Sequence, residues 1–199
     1  MTIKVVHNMA GDHVLGGVSG WQDLIGDITV KGVAGANTPS WAEITGRTGM
    51  YAYQFSPTTM NEVWITYHVT HDYSPGTAIY LHAHWLNAAA TPNTGTVRWG
   101  FQYSAAKGHQ QQAFPATSTV YVTQNCSATR YLHHIAEVAT VDAVPSTNLE
   151  VDSLIMVRIF RDAATDTCTD PVYLLLADCH YEAGSVGYVT KNKAPNFYT

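Results

Sequence analysis

From Val63 to Trp85 the chain reads VWITYHVTHDYSPGTAIYLHAHW, and its apolar side chains recur at every second position. Val63, Ile65, Tyr67 and Val69 alternate with Trp64, Thr66, His68 and Thr70, while Ile79, Leu81, Ala83 and Trp85 alternate with Tyr80, His82 and His84. A period of two marks an extended strand with two unlike faces. Between the two runs, residues 71–76 (HDYSPG) carry turn chemistry, Pro75 fixing φ and Gly76 free to take φ above zero. The pattern predicts an antiparallel hairpin. Any register that keeps the aliphatic residues together then gathers Trp64, Thr66, His68, Tyr80, His82 and His84 on the other face. That histidine-rich face has three readings: a metal site, a subunit contact or a wetted surface.

The same short-strand rhythm recurs along the chain. Strands are predicted at Met50 to Phe55, Thr96 to Tyr103, Thr117 to Gln124, Tyr131 to Val138, Ser153 to Arg161 and Val172 to Tyr181, with a first one around Ile28 to Val30. Val97, Trp99, Phe101 and Tyr103 share one face, and Val120 and Val122 interleave with Thr119, Tyr121 and Thr123. The connecting stretches are rich in Ala, Thr, Gly, Pro and Asn, and no long segment has a period of 3.6 residues. Ser40-Trp-Ala-Glu43 has the spacing of a capping box, which predicts one helical turn ended by Gly46. Eight or nine strands with few helices predict an all-β fold, a jelly-roll-like β-sandwich of about eight strands. Residues 1–20 read as a flexible or extended N-terminal arm, and 21–199 as one β-sandwich domain. The tail from Lys191 to Tyr198 is polar but ends in two aromatics, which are expected to dock on a surface.

Composition narrows the function. Charged residues make up 13 % of the chain, against roughly 25 % in an average soluble protein. Uncharged polar residues therefore cover much of the surface. With twelve Tyr and five Trp, this suits a protein packed against neighbours, since interface cores are poor in charge and rich in aromatics. A neutral, Thr-rich β protein would look similar. A net charge of −5 without any basic cluster argues against direct nucleic-acid binding, which needs Lys and Arg in number. With no signal peptide and no apolar run near 20 residues, neither signal-directed secretion nor membrane spanning is expected. Cys126, Cys168 and Cys179 are odd in number and lack C-x-x-C spacing, so buried or indifferent thiols are expected in place of a disulfide framework or thiolate zinc site.

Few constellations could carry chemistry. His82-Ala-His84 places two imidazoles on one strand face, where both can reach one metal ion. With Gly76 before and Gly95 after, the segment partly resembles the first motif of cupins, themselves jelly rolls, but Ala88 and Ala89 stand where a cupin places its glutamate ligand. His68 is a conceivable third ligand if the register brings it near. His133 and His134 are adjacent, so in a strand they face opposite ways and cannot chelate together. Asp178, His180 and Glu182 alternate on the last strand, where a solvated face of mixed charge is the expected reading. Arg158, Arg161 and Asp162 in RIFRD are expected to form a surface or interface ion pair. There is no G-x-S-x-G elbow, P-loop or dinucleotide fingerprint. No catalytic residue, cofactor or metal ligand is assigned from these patterns, and whether His82 and His84 bind a metal is left open.

Several phrases resemble a family of tailed-bacteriophage virion structural proteins: MYAYQF at 50–55, MNEVWITYHVTHDYSPGTAIYLHAHW at 60–85, TGTVRWGFQYSAAKGH at 94–109, FPATSTVYV at 114–122, DSLIMVRIFRD at 152–162 and KNKAPNFY at 191–198. They span the chain from Met50 to its end, and the first 49 residues match less clearly. The resemblance implies a non-enzymatic component of the virion, assembled in the host cytoplasm. By analogy with small jelly rolls in phage particles, it implies a capsid decoration or cement protein. Such a protein would be a homotrimer that binds the phage major capsid protein and stabilises the head shell. The alternatives are a tail adaptor, fibre or spike component with tail-protein partners, or a cupin-like metal-binding or glycan-binding jelly roll.

Overall fold

The computed structural model describes residues 20–30 and 37–184, together with the backbone of a short antiparallel pair, β1 (Val5–His7) and β2 (His13–Leu15). The expected N-terminal arm, apart from that pair, and the aromatic tail lie outside the described residues. Ten further strands follow: β3 (Gly20–Ile25), β4 (Ser40–Glu43), β5 (Tyr51–Phe55), β6 (Glu62–His68), β7 (Tyr80–Asn87), β8 (Thr96–Ala106), β9 (Ser118–Asn125), β10 (His134–Glu137), β11 (Leu154–Arg161) and β12 (Val172–Ala183). The helical content among the described residues is two single 3₁₀ turns, Thr140–Asp142 and Ser146–Asn148.

Two antiparallel sheets face each other. One runs β10-β7-β12-β5-β4, with β3 also paired to β12; the other runs β6-β11-β8-β9. Numbering β5 to β12 as one to eight, the sheet orders become one-eight-three-six and two-seven-four-five. This interleaving is a jelly roll, the expected fold class, extended at one sheet by β3 and β4. Alternation explains why the sheets close on each other. The inward residues Val63, Ile65 and Tyr67 of β6, Leu81, Ala83 and Trp85 of β7, Val97, Trp99 and Phe101 of β8, and Ile155, Val157 and Ile159 of β11 are all buried in one shared core. Phe55 and Trp99 meet edge to face at its centre, 5.1 Å between rings. Trp85 is fully buried, and its indole N–H donates to Gln124 Oε1.

The expected hairpin is corrected. β6 and β7 do not pair; β6 lies beside β11 and β7 between β10 and β12, in opposite sheets. Both runs bury an apolar face, and two such faces can meet across a sandwich as well as side by side in one sheet. The connection is also too well anchored for a simple turn. Tyr73 forms a β-bridge with Ala183, Ile79 forms one with Val144, and both side chains are buried. As a result Trp64, Thr66 and His68 stand on the outside of one sheet, and Tyr80, His82 and His84 on the outside of the other.

Three local expectations change as well. Ser40–Glu43 is the edge strand β4, paired to β5 from Ser40↔Gln54 to Glu43↔Tyr51, so strand pairing overrides the capping-box spacing. The first long strand is β3 at 20–25, while Thr29 makes a single bridge to Trp64. Arg161 is no surface ion-pair residue. Its side chain is fully buried, its Nε contacts Asp166 Oδ2 at 2.5 Å, and its other nitrogens donate to the carbonyls of Phe55, Asp170 and Cys168. Arg158 pairs instead with Glu62, and Asp162 with Arg98 at 3.1 Å.

Candidate functional site

The outer face of the six-stranded sheet carries a cluster of imidazoles and carboxylates. β7 supplies His82 and His84, two residues apart and therefore on one face. β12 supplies Asp178, directly opposite His82 in the ladder, and His180, opposite Tyr80; β10 supplies Glu137, opposite His82 on the other side. Asp178 reaches this face because of a β-bulge. The register shifts between Leu174 and Leu176, so Leu174 and Ala177 both point into the core and Asp178 points out. Without that extra residue the phase of β12 would bury the carboxylate against aliphatic side chains.

His82 and Asp178 lie outside the sandwich core but are shielded from water. His82 is 1 % exposed and Asp178 4 %. His82 Nε2 lies 2.5 Å and His84 Nε2 3.1 Å from the same atom, Asp178 Oδ1. Neither approach has hydrogen-bonding geometry: Asp178 Oδ1, His84 Nε2 and His82 Nδ1 are buried with no hydrogen-bond partner. His84 Nδ1 is 2.7 Å from His133 Nε2, and His82 Nδ1 is 3.8 Å from Glu137 Oε2. His180 contacts Glu137 through Nδ1 and Asp23 through Nε2, the latter at 3.0 Å. Burial, helped by the imidazoles of His82 and His133, pulls the His84 pKa below its usual value despite the nearby Asp178. Burial pushes the Asp178 carboxyl up, but its contact with His82 and the charges of His82, His84 and His180 outweigh that and hold it below the ordinary carboxylate value. His82, His84 and Asp178 offer ligand atoms all within 4.8 Å of one another, as do Asp23, His82 and His180. Beside them Trp21, Tyr80, Glu137, Thr140 and His180 line an open groove of about 450 Å³.

A second histidine cluster gathers at the end of the other sheet, with His68 on β6 and His71, His109 and Asp152 in the loops beside it. Asp152, held at φ +63°, accepts contacts from His68 Nε2 at 3.0 Å, His71 Nε2 at 3.2 Å and His109 Nε2 at 2.7 Å. His68 is thereby removed from His82 and His84, and the expectation that it could be their third ligand fails. Asp178 lies beside them instead; of the three polar residues alternating on β12 it is buried, while His180 and Glu182 are partly exposed. His133 and His134 do turn opposite ways: His133 meets His84, and His134 stacks on Trp85 with 4.2 Å between rings. The roles of Glu137 and His133 were beyond reach of the sequence because they depend on which strands flank β7. All three cysteines are free and buried, as expected, with Cys126 and Cys168 sulfurs 2.9 Å apart. No helix among the described residues is long and apolar enough to cross a membrane.

No family model matches the chain, and no curated protein matches it. Among solved structures it is similar to Arthrobacter globiformis T6 isomalto-dextranase complexed with panose, at 15 % identity over 65 % of this chain and 22 % of that one, TM-score 0.33. It is also similar to the CBM22-1–GH10 modules of the N-terminal endo-1,4-β-D-xylanase 10B of Clostridium thermocellum complexed with xylohexaose. There the identity is 15 % over 86 % of this chain and 28 % of that one, TM-score 0.35. The chain spans about a quarter of the length of either.

Proposed function

We propose that this protein is a non-enzymatic structural subunit of a phage virion, a capsid decoration protein that self-associates, as a trimer, on the head shell and stabilises it. The observation that supports this most directly is the aromatic edge of the larger sheet. Among the described residues β4 is an edge strand with one side of its backbone unpaired, and Trp41 on it is 61 % exposed. Tyr53 lies edge-on to Trp41 at 4.8 Å and Tyr51 stacks near it at 6.4 Å. An open edge flanked by exposed aromatics is a ready template for a neighbouring chain. Trp21, Ile25, Met50 and Met156 are exposed as well, so both sheets offer apolar area of the kind that subunit contacts bury. Low charge and a jelly-roll frame are in keeping with the virion-protein resemblance.

Sedimentation of the purified protein, followed by mixing with shells that lack it, tests the reading. An oligomer that co-sediments with shells is the expected result. A monomer at high concentration that leaves the shells bare would overturn it, and gold-labelled antibody found at the tail would move the subunit from head to tail.

A further inference from the structure

We propose that His82 Nε2, His84 Nε2 and Asp178 Oδ1 form a binding site for a transition-metal dication of the zinc type on the outer face of the six-stranded sheet. The site is independent of the assembly role argued above. Three observations lead to it. The ligand atoms come from β7 and β12, adjacent strands at the middle of the sheet, so the backbone fixes their relative positions before any ion arrives. His82 and Asp178 are more than nine-tenths buried, yet Asp178 Oδ1 and His84 Nε2 lack hydrogen-bond partners although they stand 3.1 Å apart. Buried polar atoms are nearly always satisfied, and one cation between them would satisfy Asp178 Oδ1 and His84 Nε2 together, with His82 Nε2 completing the set. The outer nitrogen of His84, finally, has a partner: His133 Nε2 lies 2.7 Å from His84 Nδ1. A partner of that kind fixes the tautomer that turns His84 Nε2 toward a metal.

The spacing and chemistry also select the ion. Bonds of about 2.0 to 2.2 Å to a tetrahedral dication place its ligands roughly 3.3 to 3.6 Å apart. The His84–Asp178 contact at 3.1 Å is within about 0.5 Å of that, and the His82–Asp178 contact at 2.5 Å needs to open by about 1 Å. Two imidazoles and one carboxylate suit zinc, cobalt, nickel or copper better than magnesium or calcium, which take oxygen sets. The neighbouring set of Asp23, His82 and His180 is the weaker rival, because Asp23 is exposed and its Oδ1 is already paired with His180.

Equilibrium dialysis of the chelator-stripped full-length protein against Zn²⁺, with Co²⁺ absorbance as a readout of geometry, decides the matter. One equivalent of Zn²⁺ is expected in the wild type, with a rise in Tm on binding. His84→Gln and Asp178→Asn should each lose that equivalent, weakening it at least tenfold, and lose the Tm rise. Asp23→Asn and Asp152→Asn should keep both. Should Asp178→Asn fail to fold, His84→Gln carries the test, with its metal-free melting compared to wild type. Absence of the equivalent in wild type, its survival in His84→Gln, or its loss in Asp23→Asn would each overturn the assignment.

Discussion

At the scale of single residues, Arg161 is a buried charge with its partners already in place. Arg161 is fully buried, and Asp166 together with the carbonyls of Phe55, Cys168 and Asp170 uses its donors to hold the 162–171 loop against β5. Arg161→Ala leaves the Asp166 carboxylate buried without its counterion, so a loss of about 3 to 5 kcal/mol is expected in denaturant unfolding. Asp152 works by titration. Partial burial raises its pKa, but the hydrogen bond from His109 and the charges of His71, His109 and His68 outweigh this and hold it below the usual 3.8. A depressed carboxyl contributes stability that is complete above the unfolded-chain value and disappears as pH falls through the folded one. Acid unfolding monitored from pH 5 downward should therefore show a decline in stability below 3.8 that Asp152→Asn lacks.

At the scale of elements, the strands were legible and their partners were not. Alternation located β5, β6, β7, β8, β9, β11 and β12 closely and placed Trp85, Trp99 and Ile65 on the inner face, because burial of one face is a local property of a strand. Which strand lies beside which is settled by long-range contacts that no period records, and so β6 and β7 read as a hairpin although they lie in opposite sheets. The candidate site was half visible for the same reason. His82 and His84 stand two apart in sequence, whereas Asp178 joins them across a ladder and through a bulge. That bulge makes a sharp prediction. Deleting Leu175, an exposed residue, would shift the remainder of β12 by one position and turn Asp178 inward and Cys179 outward. Loss of soluble folded protein is expected from the deletion, while Leu175→Ser, which keeps the count, should melt close to wild type; circular dichroism and soluble yield measure both.

At the scale of the whole molecule, the core is closed and the interactive surface lies on its flanks. Trp85, Trp99, Phe55 and Phe101 fill the space between the sheets, so chemistry and contacts alike are left to the outer faces and edges. If the β4 edge joins subunits, Trp41→Ser should shift the sedimenting species toward monomer while leaving the monomer's circular dichroism unchanged, since Trp41 is mostly exposed and outside the core. Equal sedimentation of the variant and the wild type would place the contact elsewhere.

The long strand β12 sets one more property. It takes β5 along its first residues and β3 along its last, and the ladder ends with Ala183 opposite Gly20. Gly20 and Ala183 thus share a single corner of the larger sheet. Load applied between Gly20 and Ala183 would therefore peel β3 from β12 one rung at a time, starting at that rung, before it strained the inner strands.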